Sequence, residues 1–389
     1  MRKILLVLTA LLFCSFTYAQ IVNIPDVNFK AYLVGNSSIN TNGDNEIQIS
    51  EANNYTGQIY CPSKNIADLT GIEYFVKLTN LWCSKNQLTN LNVSKNIALT
   101  DLYCDGNQLT NLDVSKNVAL QNFLCYENQL TNLDVTTNNA IRQLECDQNK
   151  LTTLNVSKNT ALKVLTCYDN QLTNLDVSKN TALTTLFCDS NQLTSLDVTK
   201  NTALTSFICA INKLTSLDVS KNTALKSLVC FQNQLKNLDV SKNVALNDLR
   251  CNNNQLFSLN VKNGQNSKIT TFNATVNPNL TCIQVDDIAY STSNWLNKDS
   301  WATYNINCNY MSVSDIQKSK LKLYPNPVKN TLNIQTENKF QKIEIYSING
   351  QLIKTSFQKE TNVSELPKGN FLVTVTTDKG VQTEKIIKE

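Results

Sequence analysis

Histidine is absent from the 389 residues, and glycine (9), proline (6) and methionine (2) are scarce. Without an imidazole, Ser-His-Asp triads, Cys-His dyads and His-ligated zinc are all excluded, so the chain reads as a non-enzyme. The best remaining acid/base pair, Glu145 with Asp147, sits at alternate positions of one expected strand with no pocket in prospect. Charge of either sign is also in short supply. The formal balance is +4; residues 313–389 carry 12 Lys against 8 acids, while residues 1–312 balance at 23 against 23. An excess this small and diffuse does not make the basic patch that a nucleic-acid partner requires. Beyond the first twenty residues no apolar run approaches the ~20 needed to span a bilayer.

What the chain has instead is asparagine, 57 residues of it, and 13 cysteines. The opening segment MRKILLVLTALLFCSFTYAQ has cationic Arg2 and Lys3, an apolar run, and small-residue spacing at Thr17 and Ala19. It reads as a secretory signal peptide over 1–19, removed on export.

Cys83, Cys104, Cys125, Cys146, Cys167, Cys188, Cys209, Cys230 and Cys251 recur every 21 residues, and Cys61 precedes them by 22. A fixed period of this length marks a solenoid. One turn, LTTLFCDSNQLTSLDVTKNTA from Leu183 to Ala203, divides into two halves, each an extended run followed by an Asn corner. Alternation places Leu186 and Cys188 inward and Phe187 outward. The corner asparagine, Asn191 in this turn, is expected to take a left-handed conformation and to bond its neighbours through both ends of its amide. That would explain how the chain manages without any glycine between Gly106 and Gly264. The ladder cysteines read as small buried hydrophobes: parallel β-carbons oppose bridging, and CxxC pairs for a metal are missing. Cys282 and Cys308 lie outside the register and are expected to pair, closing a cap over the last layer.

These residues resemble the leucine-rich repeat, LxxLxLxxNxL, with Cys in place of the third Leu, and most of all short bacterial repeats of the internalin kind. The resemblance covers roughly 59–281. It implies a mainly β solenoid of about 11 turns, with parallel strands on a concave face and an extended or 3₁₀ opposite side.

The columns flanking the cysteine differ from turn to turn and project onto the concave sheet. They include Trp82, Tyr103, Tyr126, Tyr168, Phe187 and Phe231 among acids and one Arg, the composition of a recognition surface for a protein or glycan. The second half-turn is monotonous: Asn92, Asp113, Asp134, Asn155, Asp176, Asp197, Asp218, Asp239 and Asn260, with lysines three residues later. It reads as a solvated convex face whose two charge rows neutralise each other.

Before the repeats, residues 20–58 form an expected N-terminal cap. Asp26 is placed to cap a short helix bearing Phe29, Tyr32 and Leu33. Residues 40–51 resemble the twelve-residue EF-hand loop, which implies calcium on Asn40, Asn42, Asp44, the Glu46 carbonyl and Glu51, at the weak affinity of extracellular modules. Asn40 departs from the usual Asp, and Asn45 from the usual Gly.

After residues 282–312, read as C-terminal cap and linker, the alternating runs of 313–389 suggest a small antiparallel sandwich. Tyr324-Pro325-Asn326-Pro327, Asn349-Gly350, Leu366-Pro367-Lys368-Gly369 and the terminal Lys385-Ile386-Ile387-Lys388 are similar to the type A C-terminal sorting domain of the type IX secretion system. The resemblance implies that an outer-membrane translocon reads this tail and that the passenger is released or attached at the cell surface. The leading expectation is therefore a secreted or surface recognition protein. A structural or adhesive surface-layer protein whose repeats act as a spacer is the alternative.

Overall fold

A computed structural model of the chain describes residues 20–308, 321–347, 351–378 and 380–389. The expected signal peptide, residues 309–320 and the Asn349-Gly350 turn lie outside the described residues. The chain divides into two units, residues 1–308 and 309–389.

In the first unit each turn contributes one three-residue strand to an eleven-stranded parallel sheet, from Gln58–Tyr60 through Asn80–Trp82 and Asp101–Tyr103 to Thr271–Asn273. The register never slips: Leu81 pairs with Leu102, Leu102 with Phe123, and Phe123 with Leu144. In the first ten strands the middle residue and the cysteine after the strand are fully buried, for example Leu186 and Cys188; in the last, Phe272 and Ala274 take these places. Because each turn covers only its neighbours, the apolar layers add into one long core. At ~4.8 Å per strand the eleven strands give a sheet on the order of 50 Å long.

The asparagines work as expected in one respect and not in another. Asn191 Nδ2 donates to the carbonyls of Cys167, Cys188 and Asp189 (3.0, 3.2 and 3.1 Å), and its Oδ1 accepts from Leu172 N at 2.9 Å. The left-handed residue, however, is the one before the asparagine. Lys85, Glu127, Gln148, Asp169, Ser190, Ile211 and Gln232 all have φ near +50°. The amide bonds hold that conformation from one residue away, so the left-handed position accepts many residue types, even β-branched Ile211. At the second corner, Asn201 donates to Val177 O and Asn180 O at 3.0 and 2.9 Å while its Oδ1 has no hydrogen-bond partner. The same holds for Asn96, Asn117, Asn138, Asn159, Asn180, Asn222 and Asn243.

The convex aspartates also serve the turn they stand on. Asp113, Asp134, Asp176, Asp197, Asp218 and Asp239 each accept from the backbone N–H two residues on, at 2.8–2.9 Å. Among the described residues no ion pair joins these aspartates to the lysine row. A backbone donor fixed by the turn costs no side-chain entropy to engage, whereas a surface ion pair does, and the turn therefore wins.

Both ends of the ladder are closed. Helix Val27–Val34 is capped by Asp26, whose Oδ1 accepts from Asn28 N and Phe29 N and whose Oδ2 accepts from Ala67 N and Asp68 N in the first turn. At the far end the stacking runs on through strands Cys282–Gln284 and Thr303–Asn305 of a second parallel sheet. There Asp299 accepts from Val276 N and Asn277 N at 2.8 Å, standing in for the missing next turn. Trp295 stacks on Phe272 at 4.5 Å, and the Cys282–Cys308 disulfide ties the cap shut.

The second unit is an antiparallel sandwich. Three strands, Lys322–Tyr324, Thr331–Gln335 and Glu360–Asn362, face four ordered Leu352–Ser356, Phe340–Ser347, Gly369–Thr377 and Gly380–Lys388. Its core includes Val328, Leu332, Ile343, Val373 and Ile386. No helix among the described residues is long and apolar enough to cross a membrane.

Candidate functional site

The six expected ligand-binding aromatics all stand on the concave sheet, half-buried against their neighbours. Trp82 and Tyr103, on adjacent strands, are stacked at 5.0 Å with planes 7° apart. Tyr60 packs edge-on against Trp82 at 5.1 Å. Tyr60 was not singled out from the sequence; the signal was its place before Cys61, obscured by the 22-residue first spacing. The other four do not join this stack. Tyr126 and Tyr168 stand two turns apart, and Phe187 and Phe231 follow towards the C-terminal end.

The column after the cysteine reads Asp105, Tyr126, Asp147, Tyr168, Asp189, an alternation of carboxylate and phenol along five turns. Tyr126 stands close enough to Asp105, and Tyr168 to Asp147, for each carboxylate to disfavour ionisation of the phenol. Ser84 Oγ donates to Asp105 at 2.6 Å, and Thr166 Oγ1 donates to Asp147. Desolvation pushes the Tyr126 phenol up to about 12, helped by the adjacent carboxylates, and raises Tyr168 for the same reasons. Asp147 and Asp189 are also raised by burial, against the hydrogen bonds that favour their ionised forms. Glu145, Glu127 and Asp169 add charge to the same region, with Gln143 Nε2 donating to Glu145. Arg142, Lys163 and Lys150 fall outside these columns in the repeat.

The ten ladder cysteines are free and buried. Burial raises every one of their thiols, Cys61 to about 12, so they remain protonated and unreactive. Cys146 Sγ donates to Thr166 O at 3.5 Å.

The twelve-residue loop closes on itself. Glu51 Oε1 accepts from Thr41 N, Thr41 Oγ1 and Asn42 N at 2.7, 2.9 and 3.2 Å, and its Oε2 accepts from Gln48 N at 3.0 Å. Asp44 Oδ2 accepts the side-chain amides of Asn42 and Gln48 at 2.8 Å, and its Oδ1 accepts from Glu46 N. Asn40 bonds the Val34 and Asp44 carbonyls and Gly43 N. The Glu46 side chain is paired with Lys30 at 2.7 Å. The expected oxygens are thus gathered in one loop and already hold N–H or O–H donors, so the arrangement fits a self-capped turn better than an open cation cage.

In the second unit the first and last sorting motifs meet. Asn326 bonds the backbone of Lys385 and Ile387. Tyr324, Pro325, Asn326 and Pro327 are exposed, as is Lys385, whereas Lys388 is buried to 7% exposure. Gly369 has φ +149°, which a side chain would strain. Gly350 lies outside the described residues.

Residues 322–389 match the family described as the secretion system C-terminal sorting domain. Among solved structures, the chain is similar to the functional domain of InlJ from Listeria monocytogenes, described as including a cysteine ladder. Identity is 25% and the TM-score 0.42, over 95% of this chain and 100% of that one. It is also similar to the internalin inlF of Listeria monocytogenes, at 19% identity and TM-score 0.46 over 74% of this chain and 96% of that one. A third likeness is to a leucine-rich-repeat protein of Leptospira interrogans, at 17% and 0.42 over 67% and 81%. No curated protein matches. The chain is a parallel-strand solenoid of 21-residue leucine-rich turns followed by residues that match a secretion system C-terminal sorting domain.

Proposed function

We propose that the concave face binds an extracellular protein or glycan once the sorting domain has brought the chain to the cell surface or released it. The observation that carries this reading is the contrast between faces. The convex half-turn repeats the same Asx-capped aspartate, whereas the concave columns combine a Trp82–Tyr103 stack with alternating carboxylates and tyrosines. Packing dictates neither set of outward side chains, and yet only one of them varies. Asp105 and Asp147 are held by Ser84 and Thr166, so a ligand would meet carboxylates already ordered.

The test is an array of glycans and surface proteins probed with the exported chain and with a Tyr126→Ser, Tyr168→Ser variant. Loss of a ligand by the variant, with melting unchanged, supports the reading; full retention of every ligand overturns it. The alternative, a spacer whose repeats only set distance, predicts that no array member binds either chain.

For residues 40–51 we propose a weak calcium site, with one condition set by geometry. The ion must displace the Asn42 and Gln48 amides from Asp44. Millimolar calcium should then raise the melting temperature and chelator should lower it, in keeping with a Kd on the order of 10⁻⁴–10⁻³ M. A melting curve indifferent to both would show a turn that needs no ion.

A further inference from the structure

Two segments of the terminal domain separated by about sixty residues are joined by one side chain. Asn326 Nδ2 donates to Lys385 O at 3.1 Å, and Asn326 Oδ1 accepts from Ile387 N at 2.8 Å. Strand Gly380–Lys388 is an edge strand: Gly369–Thr377 pairs with it along its whole length on one side. The Lys385 carbonyl and Ile387 amide therefore belong to its outer edge. A carboxamide is a side chain that offers a carbonyl and an N–H in one plane, so Asn326 meets this edge as the backbone of a further strand would. The next residues continue the pairing. Val328 N donates to Ile387 O at 2.7 Å, and Glu389 N donates to Val328 O at 3.0 Å. Val328 itself is fully buried in the sandwich core.

The surface formed this way is not an inert one. Tyr324 is 50% exposed and Ile387 45% exposed, and Lys385 is exposed between the two motifs. Alternation puts Ile386 and Lys388 inward, which leaves Lys385 and Ile387 to face solvent. Burial of Val328 in the core brings the preceding Asn-Pro segment against the last residues of the edge strand, while Tyr324 to Pro327 stay exposed. The segment protects the strand edge, as a covering loop with prolines does, and it also presents an ordered exposed surface.

We propose that residues 324–328 and 385–389 form a single recognition element, read by the export machinery as a folded surface, with Asn326 as its positioning residue. The partner is a protein surface that offers apolar contact to Tyr324 and Ile387 and a carboxylate to Lys385. Asn326 acts through the strand it holds: it keeps the Lys385–Ile387 backbone in register with the Tyr324 segment. The inference is independent of what the concave face binds, since its readout is export.

The experiment uses the full chain expressed in a bacterium with this secretion route, scoring the fraction at the surface against the fraction in the periplasm. Backbone hydrogen exchange is followed in parallel on the purified protein. Asn326→Ala removes both bonds. Ile387→Pro removes the donor from the other side while leaving the pairing with Gly369–Thr377, because that N–H points outward. Tyr324→Ser alters the exposed surface alone. Asn326→Ala should speed exchange of the Ile387 amide about tenfold and lower the surface fraction severalfold. Ile387→Pro should lower the surface fraction to a similar degree, and the two changes together should cost little more than either. Tyr324→Ser should lower export with exchange at Ile387 unchanged. Normal export of both Asn326→Ala and Ile387→Pro, with the strand edge freed, overturns the proposal, as does unchanged exchange at Ile387 in Asn326→Ala. Should Asn326→Ala unfold the domain, Tyr324→Ser decides: normal export there is equally fatal.

Discussion

At the scale of single residues, Asp147 shows what the concave face costs the fold. Its side chain is buried to 2% exposure on a strip that also carries Asp105 and Asp189, and burial raises its pKa above the usual carboxylate value. A folded-state pKa above the unfolded one means that folding disfavours the ionised form. The destabilisation is therefore absent at pH below the unfolded value and grows as pH rises through the folded one. Asp147→Asn keeps an acceptor for Thr166 and Tyr168 but removes the charge. Its melting temperature should exceed the parent's at pH 7, and the gap should close as pH falls towards 3. A gap that is constant across this range would mean that packing, not ionisation, sets the effect.

At the scale of the element, the two corners of each turn look alike in sequence and differ in how well their amides are satisfied. Asn191 makes four hydrogen bonds and Asn201 makes two, leaving a buried carbonyl without a partner. At about 1 kcal/mol net per bond, Asn191→Ala should cost roughly 3–4 kcal/mol and Asn201→Ala nearer 2 kcal/mol. Denaturant melts of the two variants check the order, and equal losses would contradict it. The period-21 Leu, Cys and Asn columns made the turns, the inward faces and both corners legible, because each column is fixed by a buried position that recurs. The left-handed residue was not legible. Its conformation is imposed by the amide one residue on, so Ser190, Ile211 and Gln232 occupy it without a common chemistry. The Asx turns of Asp113 and its counterparts are not legible for a related reason: the donor is a backbone N–H that no side-chain pattern reveals. On the concave face the aromatic columns were legible by position, but the pairing of Trp82 with Tyr103 and of Thr166 with Asp147 depends on which strands lie side by side and on rotamers, and only the fold supplies those.

At the scale of the whole molecule, a solenoid is held by nearest-neighbour layers, so its stability is decided at its ends. The N-terminal end is closed by Asp26, which joins the cap helix to the first turn through four backbone N–H donors. Burial would raise this carboxyl, and the four donors outweigh it and hold it below its usual value. The C-terminal end relies on Trp295 over Phe272, on Asp299 under the last left-handed corner, and on a disulfide spanning 26 positions. The disulfide lies in the C-terminal cap, outside the eleven-stranded sheet, so its loss isolates the stability of that end. With Cys308→Ser the closed loop is released, at a cost of roughly 3–4 kcal/mol by loop-closure entropy. Because layers fail in order from an open end, hydrogen exchange should quicken first at Thr303–Asn305 and Cys282–Gln284, then at Thr271–Asn273, while Asn80–Trp82 keeps its protection. A uniform rise along all eleven strands would show instead that the array unfolds as one cooperative unit. The cap would then be a determinant of global stability and not of local fraying.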